Sequence, residues 1–274
     1  MNAHAVNDRV IVNINEGVAD VRLVRTDKMN ALDDAMFGAL IETGTRLKTE
    51  PGLRAVVISG EGRAFCAGLD MGNFQRTADA GRDPRPDGRL LPRTNGIANR
   101  PQYAVWVWRE VPVPVIAAVH GVAFGGGFQL TLGADMRYTA PDTKMSVMEL
   151  KWGLVPDMAG TVIMRNLMRD DVIRDLTYTG RIFTGEEADR MGLVTRLTAN
   201  PRDEALATAR DIATKNPDAI RASKRMLNAL PLVSDAEGLI TESREQDALA
   251  GKPNQVEAVM AQMQKRAPQF KTDY

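Results

Sequence analysis

Ala55-Val56-Val57-Ile58-Ser59 is a short unbroken apolar run, and a glycine-bearing turn, Gly62-Arg63-Ala64-Phe65-Cys66-Ala67-Gly68-Leu69-Asp70, follows it directly. The same arrangement recurs. Residues 113–120 form a second apolar run, then come His120-Gly121-Val122-Ala123-Phe124-Gly125-Gly126-Gly127 and a helix-forming segment through Phe128 and Leu130. A short run without apolar/polar alternation suits a strand buried on both faces. Such strands need cover on each side, which helices provide, so the pair points to an α/β fold.

The remaining pattern agrees. Residues 10–14 and 19–24 flank Glu16-Gly17 and read as a hairpin. A turn at Thr26-Asp27-Lys28 leads into a helix predicted over 32–50, with Met36, Leu40 and Leu47 on one face, and Pro51-Gly52 ends it. Residues 76–96 are rich in Arg, Pro and Gly and read as an exposed loop within one domain. A helix is expected over 97–109, another over 125–133, and a third short strand over 137–140. Helices then take over at 162–168, 171–179, 185–191, 201–215, 219–230 and 237–249. This divides the chain into an α/β core, 1–200, and a helical C-terminal oligomerisation region, 201–274.

Charge and cysteine content exclude several classes. Lys+Arg and Asp+Glu both number 35, so no basic surplus exists to attract nucleic acid or an anionic membrane surface. The single cysteine, Cys66, has no internal disulfide partner and suits a reducing compartment. The most apolar stretch, 111–134, is broken by Pro112, Pro114 and three glycines, so it is no continuous membrane span, and the first twenty residues have no cationic start. A soluble cytoplasmic protein is the expectation.

The two turns have chemical potential. Glycine lets a backbone approach a ligand closely, and a helix N-terminus carries free N–H donors. Two such turns facing each other could offer paired N–H groups to a developing oxyanion; each alone could equally be tight strand-on-helix packing. Neither is a phosphate loop: no G-x-x-x-x-G-K-[ST] occurs, and no G-x-G-x-x-G opens a helix after a strand. Cys66 reads as core packing, since nothing nearby would activate it.

Downstream, Ser146-Val147-Met148-Glu149 and Gly153-Leu154-Val155-Pro156-Asp157 place two carboxylates eight residues apart. A carboxyl in an apolar pocket has a raised pKa, as an acid or base working near neutral pH requires. Spacing leaves two alternatives open: Glu149 paired with Lys144 or Lys151, and Asp157 capping a helix that starts near Ala159.

Taken in order, Phe65-Cys66-Ala67-Gly68-Leu69-Asp70, Pro114-Val115-Ile116-Ala117-Ala118-Val119-His120-Gly121, Gly125-Gly126-Gly127 and Glu149 with Gly153-Leu154-Val155-Pro156 resemble the crotonase superfamily of enoyl-CoA hydratases and isomerases. Asp27-Lys28-Met29-Asn30-Ala31-Leu32, Thr184-Gly185-Glu186-Glu187-Ala188 and Met191-Gly192-Leu193-Val194 extend the likeness over nearly the whole chain. The resemblance implies a spiral of ββα units assembled as a homotrimer or homohexamer. It implies an acyl-CoA thioester substrate, with no metal and no cofactor beyond the CoA that the substrate carries. It gives the oxyanion-hole N–H groups to Leu69 and Gly126. It puts Lys28, Ala67, Gly68, Gly125 and Gln129 along the acyl-CoA site.

Hydratases of this family carry two glutamates. Glu149 matches one, but Gln129 stands where the other is expected, and an amide is neither acid nor base at neutral pH. Asp157 matches an aspartate that dienoyl-CoA isomerases pair with a glutamate, although those enzymes also have Asp where Gln129 stands. The expectation is isomerisation of an enoyl- or dienoyl-CoA by proton transfer, with Glu149 and Asp157 sharing the acid and base roles. The alternatives are a 2-enoyl-CoA hydratase of fatty-acid β-oxidation and a non-catalytic acyl-CoA-binding protein.

Overall fold

The structure, a computed structural model, describes residues 2–70, 72 and 90–271. Among them a seven-stranded sheet has the order β1 (Asn2–Val6), β2 (Val10–Asn15), β3 (Val18–Leu23), β4 (Ala55–Gly60), β5 (Val115–Val119), β7 (Met136–Thr139), β10 (Arg196–Leu197), and a small sheet has the order β6 (Val122–Phe124), β8 (Lys144–Ser146), β9 (Phe183–Thr184). Strands β1 (Asn2–Val6), β2 (Val10–Asn15) and β3 (Val18–Leu23) run antiparallel, with Val12 opposite Val21. Glu16 and Gly17 have φ of 49° and 77°. Positive φ at both loop positions is the geometry of a tight hairpin turn matched to strand twist.

From β3 onward the large sheet is parallel. β4 (Ala55–Gly60), β5 (Val115–Val119), β7 (Met136–Thr139) and the two-residue β10 (Arg196–Leu197) follow, with Ile58 opposite Ala117 and Ala118 opposite Tyr138. Every residue of β4 and β5 is buried, as the unbroken apolar runs predict. Val56, Ile58, Val115, Ala117 and Val119 face the larger core, which also holds Met36, Leu40, Leu47 and Trp108 from the covering helices. Ala55, Val57, Ile116 and Ala118 face the other side, where Ala205 and Ala209 of the helix Pro201–Ala213 pack against them. Small residues on that helix let its backbone lie close to the sheet.

The predicted helix over 32–50 is shorter, Asp34–Leu47. Asp33 is its N-cap, accepting the Met36 N–H at 2.8 Å, and Leu32 is left outside to bridge Leu69. The helix predicted over 97–109 is Arg100–Glu110, started by a reciprocal Asn99–Gln102 capping box. The glycine triplet leads into Gly126–Leu132. Most of the loop predicted over 76–96 lies outside the described residues.

Short elements escape the sequence reading. β6 (Val122–Phe124), β8 (Lys144–Ser146) and β9 (Phe183–Thr184) have two or three residues each, too few for a periodic signal. The sequence pattern also predicts neither β1 nor the helix Pro253–Met263. Beyond the helix Pro217–Ala229 the C-terminal helices leave Leu239, Ile240, Val256, Val259 and Met263 well exposed. The buried Lys224 ammonium ties Pro217–Ala229 to the sheet, donating to the carbonyls of Trp108 and Val113 and to Asp135. No helix among the described residues is long and apolar enough to cross a membrane.

Candidate active site

The first turn is held from both sides. Asn30, at φ 56°, donates its Nδ2 hydrogens to the carbonyls of Glu61, Ala64 and Phe65 at 3.1, 2.9 and 3.2 Å. Ala67 N–H donates to the carbonyl of Met29 at 2.9 Å, the residue that follows Lys28, an exposed lysine in a one-turn helix over Thr26–Lys28. Leu32 N–H donates to Gly68 at 2.8 Å and Asp70 N–H to Leu32 at 3.1 Å. In this parallel bridge the bonds to Leu32 come from the residues flanking Leu69, so the Leu69 N–H points the opposite way. Arg25 secures the end of the turn by pairing with Asp70 at 2.7 Å while donating to the Ala31 carbonyl.

On the opposite side lies the second turn. Cys66 N–H donates to Val122, and Phe124 N–H to Cys66. A β-carbon on Gly68, whose φ is +88°, would stand 2.5 Å from the Phe124 carbonyl oxygen and 3.7 Å from the Gly126 nitrogen. Leu69 and Gly126 thus border one narrow space. Gly126 opens its helix, where the first N–H groups have no partner within the helix. The close-packing role that the sequence left open for these glycines is also real. A β-carbon on Gly121 would meet the Arg63 carbonyl oxygen at 2.0 Å.

Glu149 sits over this second turn. It is buried in a one-turn helix, Met148–Trp152, and a β-carbon on Gly125 would be 3.4 Å from its Oε1. Among the described residues no ion pair joins it to Lys144 or Lys151; the Lys151 ammonium lies over the Trp152 ring instead. Burial pushes the Glu149 carboxyl above its ordinary range. Hydrogen bonds from its own backbone N–H and from Gln129 partly offset that rise, and the negative charge of Asp157 adds to it.

Gln129 is fully buried behind Glu149 and not on an open surface of the site. Its Nε2 donates to Glu149 Oε1 at 2.6 Å, and its Oε1 accepts from the N–H groups of Met158 and Gly160, both at 2.9 Å. The helix Gly160–Met164 therefore takes its acceptor from Gln129. Asp157, half-buried, is held next to Met158 within electrostatic reach of Glu149. Glu149, Gln129 and Asp157 are brought together as one group, and Leu69 with Gly126 forms a second group next to it.

Cys66 is inert, as expected. It is wholly buried, its thiol donates to the Asn30 carbonyl, and burial pushes its pKa up to about 12. Sequence reasoning missed Asn30 as the residue holding the first turn. Its signal is faint: asparagine tolerates left-handed backbone better than most residues. Among the described residues no group of three or more His, Cys, Asp or Glu side chains is placed to hold a metal ion.

The family model described as Enoyl-CoA hydratase/isomerase matches residues 13–273. A Mycobacterium tuberculosis protein called "Probable enoyl-CoA hydratase echA8" is 31% identical over 96% of this chain and 98% of its own. The human mitochondrial Delta(3,5)-Delta(2,4)-dienoyl-CoA isomerase is 32% identical over 81% of this chain and 68% of its own. The crystal structure of an enoyl-CoA hydratase from Bacillus anthracis superposes with a TM-score of 0.85 at 26% identity, covering 97% of this chain and all of that one (100%).

Proposed function

The chain belongs to the enoyl-CoA hydratase/isomerase family, and from that premise we propose that it isomerises an unsaturated acyl-CoA thioester by moving a proton along the acyl chain. The observation that carries this reading is Gln129. Where a hydratase would need a second glutamate, this chain has a buried amide whose oxygen is already taken by two backbone N–H groups. That amide can neither accept nor release a proton at neutral pH. Among the described residues, the carboxylate of Asp157 is the one whose charge acts on Glu149, and the reading pairs the two.

In the proposed reaction one carboxylate removes a proton from the acyl chain. The electron pair moves toward the thioester and gives a dienolate, whose oxygen accepts hydrogen bonds from the Leu69 and Gly126 N–H groups. The other carboxylate returns a proton at a different carbon. No co-reactant is consumed, and CoA enters and leaves as part of the substrate. Each oxyanion donor is worth about 2.7–4 kcal/mol of barrier in comparable sites. A raised Glu149 pKa suits proton transfer near neutral pH. Lys28, Ala67, Gly68 and Gly125 line the approach of the acyl-CoA. Region 201–274 assembles the chain into a homotrimer or homohexamer through apolar side chains such as Leu239, Ile240 and Met263, which one copy leaves exposed.

Incubation with 3,5-dienoyl-CoA and 3-enoyl-CoA, followed by ultraviolet absorbance of the conjugated product, tests the reading. Turnover of either supports it. No turnover of either, beside clear hydration of a 2-enoyl-CoA, overturns it. That second outcome is the reading favoured by the hydratase name of the mycobacterial relative, with Glu149 as the sole acid-base group. Affinity for acyl-CoA without any turnover would instead make the chain a binding protein.

A further inference from the structure

We propose that Gln129 is a positioning residue that gives the two oxygens of Glu149 different duties, holding Oε1 in place and leaving Oε2 to carry the proton. The inference rests on the reading of Glu149 as a proton-transfer group and adds to it the residue that orients the carboxylate.

The amide of Gln129 fits only one way round. Its oxygen faces two N–H groups, those of Met158 and Gly160, and must be the acceptor; its nitrogen faces Glu149 Oε1 and must be the donor. Both ends are fixed by different segments, so the side chain has no freedom to turn. Gln129 thus binds Glu149 at Oε1 and not at Oε2. Among the described residues the buried Oε2 has no hydrogen-bond partner. Leaving a buried carboxylate oxygen unpaired is costly, and such groups persist where function uses them. With Oε1, the oxygen nearer Gly125, held by the amide, Oε2 is the oxygen of this carboxylate left to exchange a proton.

The same amide also spaces the two carboxylates. Glu149 hangs from Nε2, and Asp157 precedes the residue whose N–H is bound to Oε1. Among the described residues, other elements packed nearby contribute no competing charge. The helix Gly126–Leu132 brings only neutral Gln129, Lys151 is turned onto Trp152, Lys144 is exposed on β8, and Asp157 is the ionisable group that acts on Glu149.

Two variants test this. In Gln129→Glu the new carboxylate would keep the two backbone N–H groups, and its second oxygen would face Glu149 Oε1. Two carboxylates at that range can be tolerated only by sharing a proton. In Gln129→Met the donor to Glu149 is lost. Both changes hold Glu149 protonated to higher pH. The expected result in each is an ascending limb of the pH–kcat profile displaced upward by about one unit, so that kcat at a fixed pH low on that limb is about tenfold lower. KM should change by less than about threefold, because Gln129 touches no substrate. Carboxyl 13C NMR of glutamate-labelled protein, assigned with Glu149→Gln, should show the Glu149 titration moving upward in step. Circular dichroism identifies which variants fold, and either one suffices. If Glu149→Gln abolishes turnover while the folded variant keeps both its pH limb and its Glu149 titration, the positioning role is overturned. If Glu149→Gln keeps full activity, the reading of Glu149 as the proton-transfer group fails instead, and the role assigned to Gln129 falls with it.

Discussion

The backbone of Gly127 lies so near Cys66 that a β-carbon at position 127 would stand 2.2 Å from the Cys66 carbonyl oxygen. That contact presses the two glycine turns together and sets the space that Leu69 and Gly126 border. Backbone cannot retreat as a side chain can. Gly127→Ala is expected to lose about 1–3 kcal/mol of stability or more. A β-carbon on Gly126 would instead meet the Met158 sulfur and a Leu32 methyl, which can shift. Gly126→Ala should therefore cost less stability and reduce kcat more than KM. Urea unfolding of both variants, with steady-state kinetics of the second, checks the contrast.

Asn30 supports the first turn from below, with three carbonyls sharing its amide. Asn30→Ala leaves buried acceptors unpaired, at about 1–3 kcal/mol, and puts alanine in left-handed backbone at a cost of roughly 1–2 kcal/mol more. Asn30→Gly removes the second cost and keeps the first. The difference between the two melting curves separates turn support from backbone strain.

Glu149 should weaken the fold at the pH where it works. Burial raises its folded pKa, so the native protein keeps a proton that the unfolded chain releases above about pH 4.3. Its contribution to stability is full below that point. It declines as pH rises through the folded value and stays low above it. Glutamine does not ionise, so Glu149→Gln should melt higher than the parent at pH 8, with the gain vanishing toward pH 4. A gain that is constant with pH would contradict the raised value.

Removal of the Asp157 charge acts on Glu149 in the opposite sense to the Gln129 variants. Asp157 raises the Glu149 pKa, so Asp157→Asn should move the Glu149 limb of the rate profile to lower pH. Loss of a second proton-transfer group should also cut isomerase turnover by about 10²–10⁴-fold. Any hydratase activity should fall far less, and equal losses in the two assays would count against paired carboxylates.

Cys66 reports on opening of the whole site. With its thiol pushed up to about 12 and no exposed surface, it should resist a thiol reagent at pH 8 and react at the rate of unfolding. Denaturant titrations followed by labelling and by circular dichroism should give coincident midpoints.

Much of this protein is local in origin. The unbroken runs at β4 and β5, the Glu16-Gly17 turn, the spacing of Met36, Leu40 and Leu47, and the glycines at 68 and 125–127 each follow from steric and hydrophobic rules acting over a few residues. They are legible for that reason, and with Glu149 they outline the family. The short strands β6, β8, β9 and β10 are not legible, because pairing across the fold creates them and two or three residues carry no period. The decisive part of the site is of the same kind. A glutamine reads as an amide in any sequence. Only the tertiary structure decides that its oxygen meets the N–H groups of Met158 and Gly160 while its nitrogen meets Glu149, twenty residues further along the chain. Sequence determined which groups are present and which could ionise. Folding decided which oxygen of Glu149 the amide binds, since that depends on donors and acceptors brought together from separate segments of the chain.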